Sequence, residues 1–270
     1  MLRRMSETPI ARWAGRRAFG HDPANYHAAR PDYPDWVYQT LRTRCGLGPG
    51  TATFEIGAGT GIATRRLLDA GARPLTAIEP DPRLADFLSR CTAEPALQVV
   101  VSTFEDAELE ASAYDLGVSA TAFHWLEEDA ALDKIARVLR PGAWWAAVWN
   151  VFGDDSRSDP FHLASRELLK GPSSPSVGER GVPFALDAAA RIAAIRKTEA
   201  FDAAECMTSQ WSLALDPEQT MALYATYSNV NVRADRDAVF AELGRIARDD
   251  FGGRVVRNMT TSLYIARRSP

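Results

Sequence analysis

Thr53-Phe54-Glu55-Ile56-Gly57-Ala58-Gly59-Thr60-Gly61 is the stretch on which the reading of this chain turns. It describes the end of a buried strand, a glycine turn, and a helix opening near Ile62. Glycines at alternate positions let the backbone turn tightly and let a ligand come close to it. The turn and the first helical residues leave unpaired N–H groups aimed at one spot. Glu55 places a carboxylate just before the glycines. A nucleotide-type cofactor beside an α/β sheet is the ligand such a turn fits.

The spacing narrows the choice. The dinucleotide fingerprint G-x-G-x-x-G would need glycine at 57, 59 and 62, and position 62 is Ile. The pattern present is E-x-G-x-G-x-G.

Working outward, the apolar periodicity alternates between strand and helix. Strands are expected at about 52–56, 75–79, 97–101, 114–119 and 144–149, and helices at about 62–70, 82–91 and 127–139. Gly71 ends the first helix, Asp81 caps the second, and Leu139-Arg140-Pro141-Gly142 stops the third. The run Leu97 to Val101 is nearly all apolar, as in a strand covered on both faces. This order means a doubly wound α/β fold: a mostly parallel sheet with helices on both faces. Ligands in such sheets bind beyond the carboxyl ends of the strands. That rule singles out Gly57–Gly61, Glu79–Asp81, Ser102–Asp106, Ser119–Trp125 and Asn150.

Before the first strand, residues 1–15 read as a weakly docked arm. A short helix is expected at 23–29, and another from Pro34 with Asp32 as its cap. After Asn150 the rhythm breaks: a helix at 161–170, a Pro/Ser/Gly loop at 171–181, a helix at 186–195, an irregular strand at 201–213, helices at 217–227 and 235–249, and a closing strand at 255–267. Three parts follow: 1–50, a helical head, which the resemblance described below implies is a flap over the cofactor site; 51–150, the cofactor-binding core; and 151–270, helical insertions with the last two strands.

Composition excludes several classes. Hydrophobic residues make up 46% of the chain, which is ordinary for a packed protein and argues against disorder. The formal charge of -4 gives no electrostatic case for nucleic acid, even though the first 48 residues carry 8 Arg against 4 acids. No apolar run reaches the roughly 18 residues of a membrane span. Cys45, Cys91 and Cys206 are too far apart for a disulfide framework and fit a reducing, cytoplasmic setting. His21, His27, His124 and His162 show no metal-ligand spacing, so no metal is expected. The pattern leaves monomer or homodimer open.

Six segments join this order of elements: F-G-x(5)-Y-x(3)-R-P-x-Y-P at 19–34, F-E-I-G-A-G-T-G at 54–61, I-E-P-D at 78–81, Y-D-L at 114–116, A-x-H-W at 122–125 and L-R-P-G at 139–142. Together they resemble the class I S-adenosylmethionine-dependent methyltransferases, and more narrowly the small-molecule branch that includes trans-aconitate methyltransferase-like proteins. The resemblance covers 16–150. Beyond it the chain is family-like in layout alone.

The resemblance implies a seven-stranded, Rossmann-like sheet whose last strand is antiparallel, with S-adenosylmethionine as cofactor and S-adenosylhomocysteine as product. It implies that Gly57, Gly59, Thr60 and Gly61 pass beside the methionyl and ribose part, with Glu55 near the ammonium. Glu79, followed by Pro80, accepts the two ribose hydroxyls. Phe104 and Glu105 lie near adenine, with Asp106 an alternative contact. Ser119 and Ala120 flank the site after the fourth strand, and Tyr26 and Arg30 close over the cofactor carboxylate from the head. His124 positions the acceptor or takes its proton, while His27 faces solvent. Trp144, Trp145 and Trp149 belong to the sheet core. Trp149, Asn150, Phe152, Phe161, Tyr224, Tyr227 and Arg233 line the acceptor side.

The expected function is methyl transfer to a small organic acceptor at oxygen, nitrogen or carboxylate. Its main competitor is a methyltransferase fold that has lost catalysis and serves as a binding or regulatory module. An NAD(P)-dependent oxidoreductase fails on the third glycine. Base or glutamine-amide methylation lacks its N-P-P-Y signature, since Ser119-Ala120-Thr121-Ala122 stands there.

Overall fold

Every residue of β1 (Thr51–Ile56) is buried, so this strand has protein on both faces and at both edges. β2 (Ala72–Ile78) runs parallel along one edge, with Phe54 beside Thr76. β4 (Tyr114–Ala120) runs parallel along the other, with Phe54 beside Gly117. A Cβ at Gly117 would lie 2.3 Å from the Phe54 ring, so glycine there lets the aromatic lie across the sheet. In the computed structural model, which describes residues 9–178 and 181–270, these strands belong to a seven-stranded sheet of order β3-β2-β1-β4-β5-β7-β6. Its other members are β3 (Leu97–Val100), β5 (Leu139–Phe152), β6 (Phe201–Leu215) and β7 (Val255–Arg268). The first five are parallel, and β7 lies antiparallel between β5 and β6. The doubly wound sheet with an antiparallel last strand is therefore as expected.

Helices cover both faces. On one, Val37 and Leu41 of α3 (Asp35–Cys45), Leu67 and Leu68 of α4 (Ile62–Asp69) and Leu88 of α5 (Pro82–Cys91) share a core with Leu75, Leu116 and Leu263. On the other, Leu132 and Ile135 of α6 (Glu128–Val138) and Ile195 of α8 (Ala188–Lys197) pack on Phe54, Trp145 and Tyr264. A third cluster builds the insertion from Phe161 of α7 (Pro160–Ser165), Leu223 and Tyr224 of α9 (Pro217–Tyr224), Val230 of α10 (Ser228–Asn231) and Leu243 of α11 (Arg236–Arg245). The head adds α1 (Arg12–Arg17) and α2 (Pro23–Ala29). Most of the expected flexible arm, residues 1–8, lies outside the described residues, as do 179–180 in the expected loop.

Several expectations change. β3 is an edge strand, with Leu97, Val99 and Val100 only half-buried and Val101 58% exposed. An apolar run marks a strand but does not give its place in the sheet. β5 begins inside the Leu-Arg-Pro-Gly stop, and its register with β4 shifts between Leu139 and Trp144, a bulge that absorbs Pro141. β6 is continuous to Leu215 and pairs with β7 along its length. Asp32 does not cap α3, whose N-cap is Pro34. Its carboxylate instead accepts from Tyr33 N and the Tyr38 hydroxyl and pairs with Arg66. The expected helix at 217–227 starts as expected, fixed by a reciprocal Asp216–Gln219 capping box, but ends at Tyr224 as α9, and a separate short helix, α10, follows from Ser228. The expected helix at 161–170 stops at Ser165 as α7, and α11 continues past Arg245 as a π-turn over Ile246–Asp250.

One buried relay ties the last strands to the head. The Trp211 indole N–H donates to Thr261 Oγ1 at 2.8 Å, and Thr261 Oγ1 donates to Asn150 Oδ1 at 2.7 Å. Asn150 Nδ2 reaches the Asp32 carbonyl at 3.2 Å. Thr261 is fully buried. Thr261→Val keeps the shape and leaves the Trp211 donor and the Asn150 acceptor unpaired. The expected loss is about 1–3 kcal/mol in urea unfolding. A variant as stable as the parent would mean the relay contributes nothing.

Candidate functional site

The strand order reverses between β1 and β4, and a cavity of about 560 Å³ opens beyond their carboxyl ends. That size is typical of a small-ligand site. The head and the insertion wall it from above.

The glycine turn forms its floor. Gly57 N and Ala58 N donate to the Ile78 carbonyl, pinning the turn to β2 at 2.8 and 3.2 Å. Gly57 has φ +68, and a Cβ there would sit 2.3 Å from Ala122 Cβ. Gly59 has φ +58 and open space where a Cβ would be, so at this position the turn faces the cavity. Gly61 is also left-handed, but packs on Leu88 and leads into α4.

Glu79 stands at the end of β2, 4% exposed. Its Oε2 accepts from Gly59 N at 2.8 Å and its Oε1 from Asp81 N at 2.9 Å. Each carboxylate oxygen keeps a second acceptor direction. Burial raises its pKa to about 7 against the opposing pull of those two N–H groups.

The expected site residues divide in two. Tyr26, Arg30, Gly57, Gly59, Glu79, Pro80, Phe104, Ala120 and His124 line the cavity; Glu55, Thr60, Gly61, Glu105 and Ser119 do not. Glu55 lies beneath the turn, where its Oε2 accepts from the Thr64 hydroxyl at 2.6 Å and burial raises its pKa to about 8. Ser119 Oγ donates to the Ile56 carbonyl and ties β4 to β1. Glu105 pairs with Arg16 of the head at 2.6 Å. Asp106 accepts from the Thr103 hydroxyl. Phe104 is stacked 6.1 Å from Phe54, and the Lys134 ammonium holds its loop by donating to the carbonyls of Phe104, Glu105 and Ala107.

His27 is half-buried and does not face solvent. Its Nε2 lies 2.7 Å from Arg65 Nη2, which can only donate, so its Nδ1–H donates to Thr60 Oγ1 at 3.0 Å. Burial, and then the Arg65 charge, lower its pKa.

His124 also has its tautomer fixed. The Trp149 indole, a donor only, gives its proton to His124 Nδ1 at 3.0 Å. The neutral ring therefore carries its proton on Nε2 and presents a donor. Burial, with Arg30 second, drops its pKa to about 3. The expected role of proton acceptor does not fit this ring, because its one lone pair is already engaged. Orienting a substrate through Nε2–H does fit.

On the acceptor side Trp149, Asn150, Phe152, Tyr224 and Tyr227 line the cavity as expected. Phe161 is buried beneath Tyr224 and Phe251. Arg233 turns away to Asp235 and the Lys170 carbonyl. Three lining residues carry no clear sequence signal. Arg257 is the third residue of β7. Arg16 directly follows the expected arm and precedes the first of the quoted motifs. Thr121 holds a left-handed φ of +57, with its hydroxyl 2.7 Å from the Tyr33 hydroxyl.

Residues 54–147, about a third of the chain, match the model of the methyltransferase domain family. An uncharacterized methyltransferase of Schizosaccharomyces pombe is 30% identical over 135 residues, 50% of this chain and 53% of that protein. The chain spans about half the length of the curated relatives it matches. Among solved structures, Haemonchus contortus phosphoethanolamine N-methyltransferase 2, bound to phosphomonomethylethanolamine and S-adenosylhomocysteine, aligns with TM-score 0.56 at 12% identity, over 93% of this chain and 58% of that one. The [4+2]-cyclase SpnF aligns with TM-score 0.57 at 14% identity, over 98% and 99%. The chain carries the fold of the class I S-adenosylmethionine-dependent methyltransferases. Among the described residues no helix is long and apolar enough to cross a membrane, and no His/Cys/Asp/Glu cluster could hold a metal ion.

The His124 assignment has a direct check. Nitrogen-detected NMR of the imidazole should show a neutral Nε2–H ring, with Nδ1 as acceptor, unchanged from about pH 5 to 9. Titration near the ordinary histidine value of about 6.5 would overturn it.

Proposed function

We propose that the chain is an enzyme that binds S-adenosylmethionine and transfers its methyl group to a small organic molecule. The observation that carries this reading is the corner made by Gly59 and Glu79: an open glycine turn with a buried carboxylate locked against it, at the switch point of the sheet. The corner fits the cofactor. The Gly59 position leaves space beside the backbone, and Glu79 keeps two free acceptor directions for a pair of hydroxyls. Phe104 and its Lys134-held loop offer an apolar edge for a base. In this reading residues 1–50 cover the cofactor and 151–270 shape the acceptor side.

When bound, the cofactor supplies an electrophilic methyl on a sulfonium. The protein supplies position and exclusion of water. Trp125, Trp149 and Phe184 wall the cavity, and His124 Nε2–H offers a hydrogen bond to the acceptor. His124 Nδ1 is occupied by the Trp149 indole and does not take the acceptor's proton, so an acceptor that arrives with a free lone pair suits the site best.

The alignment with SpnF shows that this fold does not by itself specify a reaction. Calorimetry with S-adenosylhomocysteine, and NADH as comparison, is therefore the direct test. Saturable micromolar binding of the former alone is expected; absence of binding after removal of co-purified ligand would sink the reading.

The pH dependence follows from Glu79. Its ionised form accepts two hydroxyls; its neutral form competes with them. Binding should then release a proton, and affinity should fall as pH drops through about 7, the raised value for this carboxyl. Glu79→Gln should weaken binding by roughly 10-fold or more, as expected for charge-assisted bonds, and flatten the pH profile. An unchanged profile in that variant would assign the titration elsewhere.

A further inference from the structure

α2 has seven residues, and none of them is buried. A helix this short is not stable by itself. It places no side chain in the core, so contacts along its flanks set where it sits. On one flank Asn25 Nδ2 donates to the Ala222 carbonyl at 3.0 Å, and Arg30 Nη2, just past the helix, donates to the Thr226 carbonyl at 2.9 Å. These bonds tie α2 to the end of α9. On the other flank, among the described residues, the side chain that hydrogen-bonds to the glycine turn is His27. Its Nδ1 lies 3.0 Å from Thr60 Oγ1, and its Nε2 lies 2.7 Å from Arg65 Nη2. Thr60 is 1% exposed and stands between Gly59 and Gly61. Arg65, on α4, also directs Nη1 to the Thr60 carbonyl at 3.4 Å. His27, Thr60 and Arg65 thus close a ring of contacts around one residue of the turn.

The ring holds in one protonation state. Arg65 can only donate, so Nε2 accepts and the proton on Nδ1 goes to Thr60. Protonating the imidazole would turn Nε2 into a donor facing a donor, and would set a second cation beside the guanidinium. The groups that face His27 are Thr60 of the turn, Arg65 of α4 and Phe87 of α5, whose ring centre is 5.4 Å away. The charged one among them is Arg65, and no carboxylate among the described residues bonds to the imidazole to favour its cation. The contacts are therefore fully present above the ordinary histidine value of about 6.5, and are lost as pH falls through the lowered one. Tyr26 lies on the same helix and Arg30 directly follows it, and both line the cavity. The seat of α2 thus places two lining side chains as well as the turn.

We propose that His27 is a positioning residue: in its neutral form it fastens α2 to the glycine turn and so holds the turn, Tyr26 and Arg30 in the arrangement that takes up ligand, and its protonation releases that fastening. This inference rests on the methyl-transfer reading for the identity of the ligand, and the fastening can be tested without it.

Hydrogen exchange of the amides of residues 26–30 is followed in the full chain, without ligand, from pH 5 to pH 8 and corrected for intrinsic exchange. In the parent their protection should fall about 5-fold or more towards pH 5, the order of one lost hydrogen bond. His27→Leu should show the low protection at every pH. His27→Gln, whose amide can accept from Arg65 and donate to Thr60 without titrating, should restore much of it and remove the pH dependence. Glu79→Gln should keep the parent's dependence. At pH 8, S-adenosylhomocysteine should bind His27→Leu about 5-fold more weakly than the parent, with His27→Gln in between. Thr60→Val should have a similar effect, and combining it with His27→Leu should cost no more than either change alone. Thermal melting establishes that each variant is folded.

Protection of α2 that ignores both pH and His27 would overturn the proposal. So would a pH dependence that vanishes in Glu79→Gln and survives in His27→Gln. Additive losses for the His27 and Thr60 changes, or an unchanged affinity for S-adenosylhomocysteine in His27→Leu, would remove the positioning role. If S-adenosylhomocysteine fails to bind the parent while the protection of α2 still follows His27, the methyl-transfer reading fails and the fastening stands.

Discussion

The contact on which the site depends is the pair of hydrogen bonds made by Glu79. One carboxylate oxygen takes the N–H of Gly59 and the other that of Asp81. A single side chain thus joins the glycine turn to the start of α5. Asp81 then caps α5, and its buried carboxylate binds Arg83, whose Nη2 reaches the Arg17 carbonyl of the head. Gly20 packs so closely here that a Cβ would lie 2.1 Å from Asp81 Oδ2. Turn, helix and head therefore meet at one corner. An acid buried this deeply is held near neutrality by lost solvation, which leaves it able to respond to a ligand that brings donors.

The cavity carries charge of both signs. Glu79 stands at the sheet's switch point with Arg16 of the head acting on it, Arg30 and Arg257 lie on the insertion side, and His124 is fixed as a donor. The head closes the polar side through exposed pairs such as Arg12–Glu127 and half-buried ones such as Arg16–Glu105. Pairs of the first kind contribute little on their own. The head is also tied down by Arg16 Nη2 donating to the Trp125 carbonyl and Arg83 Nη2 donating to the Arg17 carbonyl.

How much of this was legible in the sequence depended on the range of the physics involved. The glycine turn, the Asp81 cap and the strand–helix alternation are local, and they read correctly to within a few residues. Glu79 was legible because strand ends in a doubly wound sheet point at the cleft. Glu55 was not: a carboxylate two residues before a glycine looks like a ligand-binding group, but strand alternation turns it under the turn towards Thr64. His27 and Asp32 were misread for a similar reason, since their partners Arg65 and Arg66 lie in a helix more than 30 residues on. Arg257 carries no local mark at all. Its importance comes from the start of β7, which pairs with β6 beyond the end of β5 and sets the Arg257 side chain against Tyr224 of α9 and Asp159. The edge position of β3 was equally hidden, because composition is the same whether a strand has one neighbour or two.

The link between His124 and Trp149 bears most directly on chemistry. A histidine beside a cofactor cleft invites the role of base, and its residue type alone permits it. The indole N–H removes that option by occupying the imidazole lone pair. Protonating His124 would break this bond, would bury a cation, and would place that cation in the field of Arg30; all three oppose it. The neutral ring therefore offers a fixed hydrogen-bond donor through Nε2–H. On the methyl-transfer reading, selectivity then moves from proton removal to recognition. The site then favours acceptors that reach the cleft with a lone pair already free.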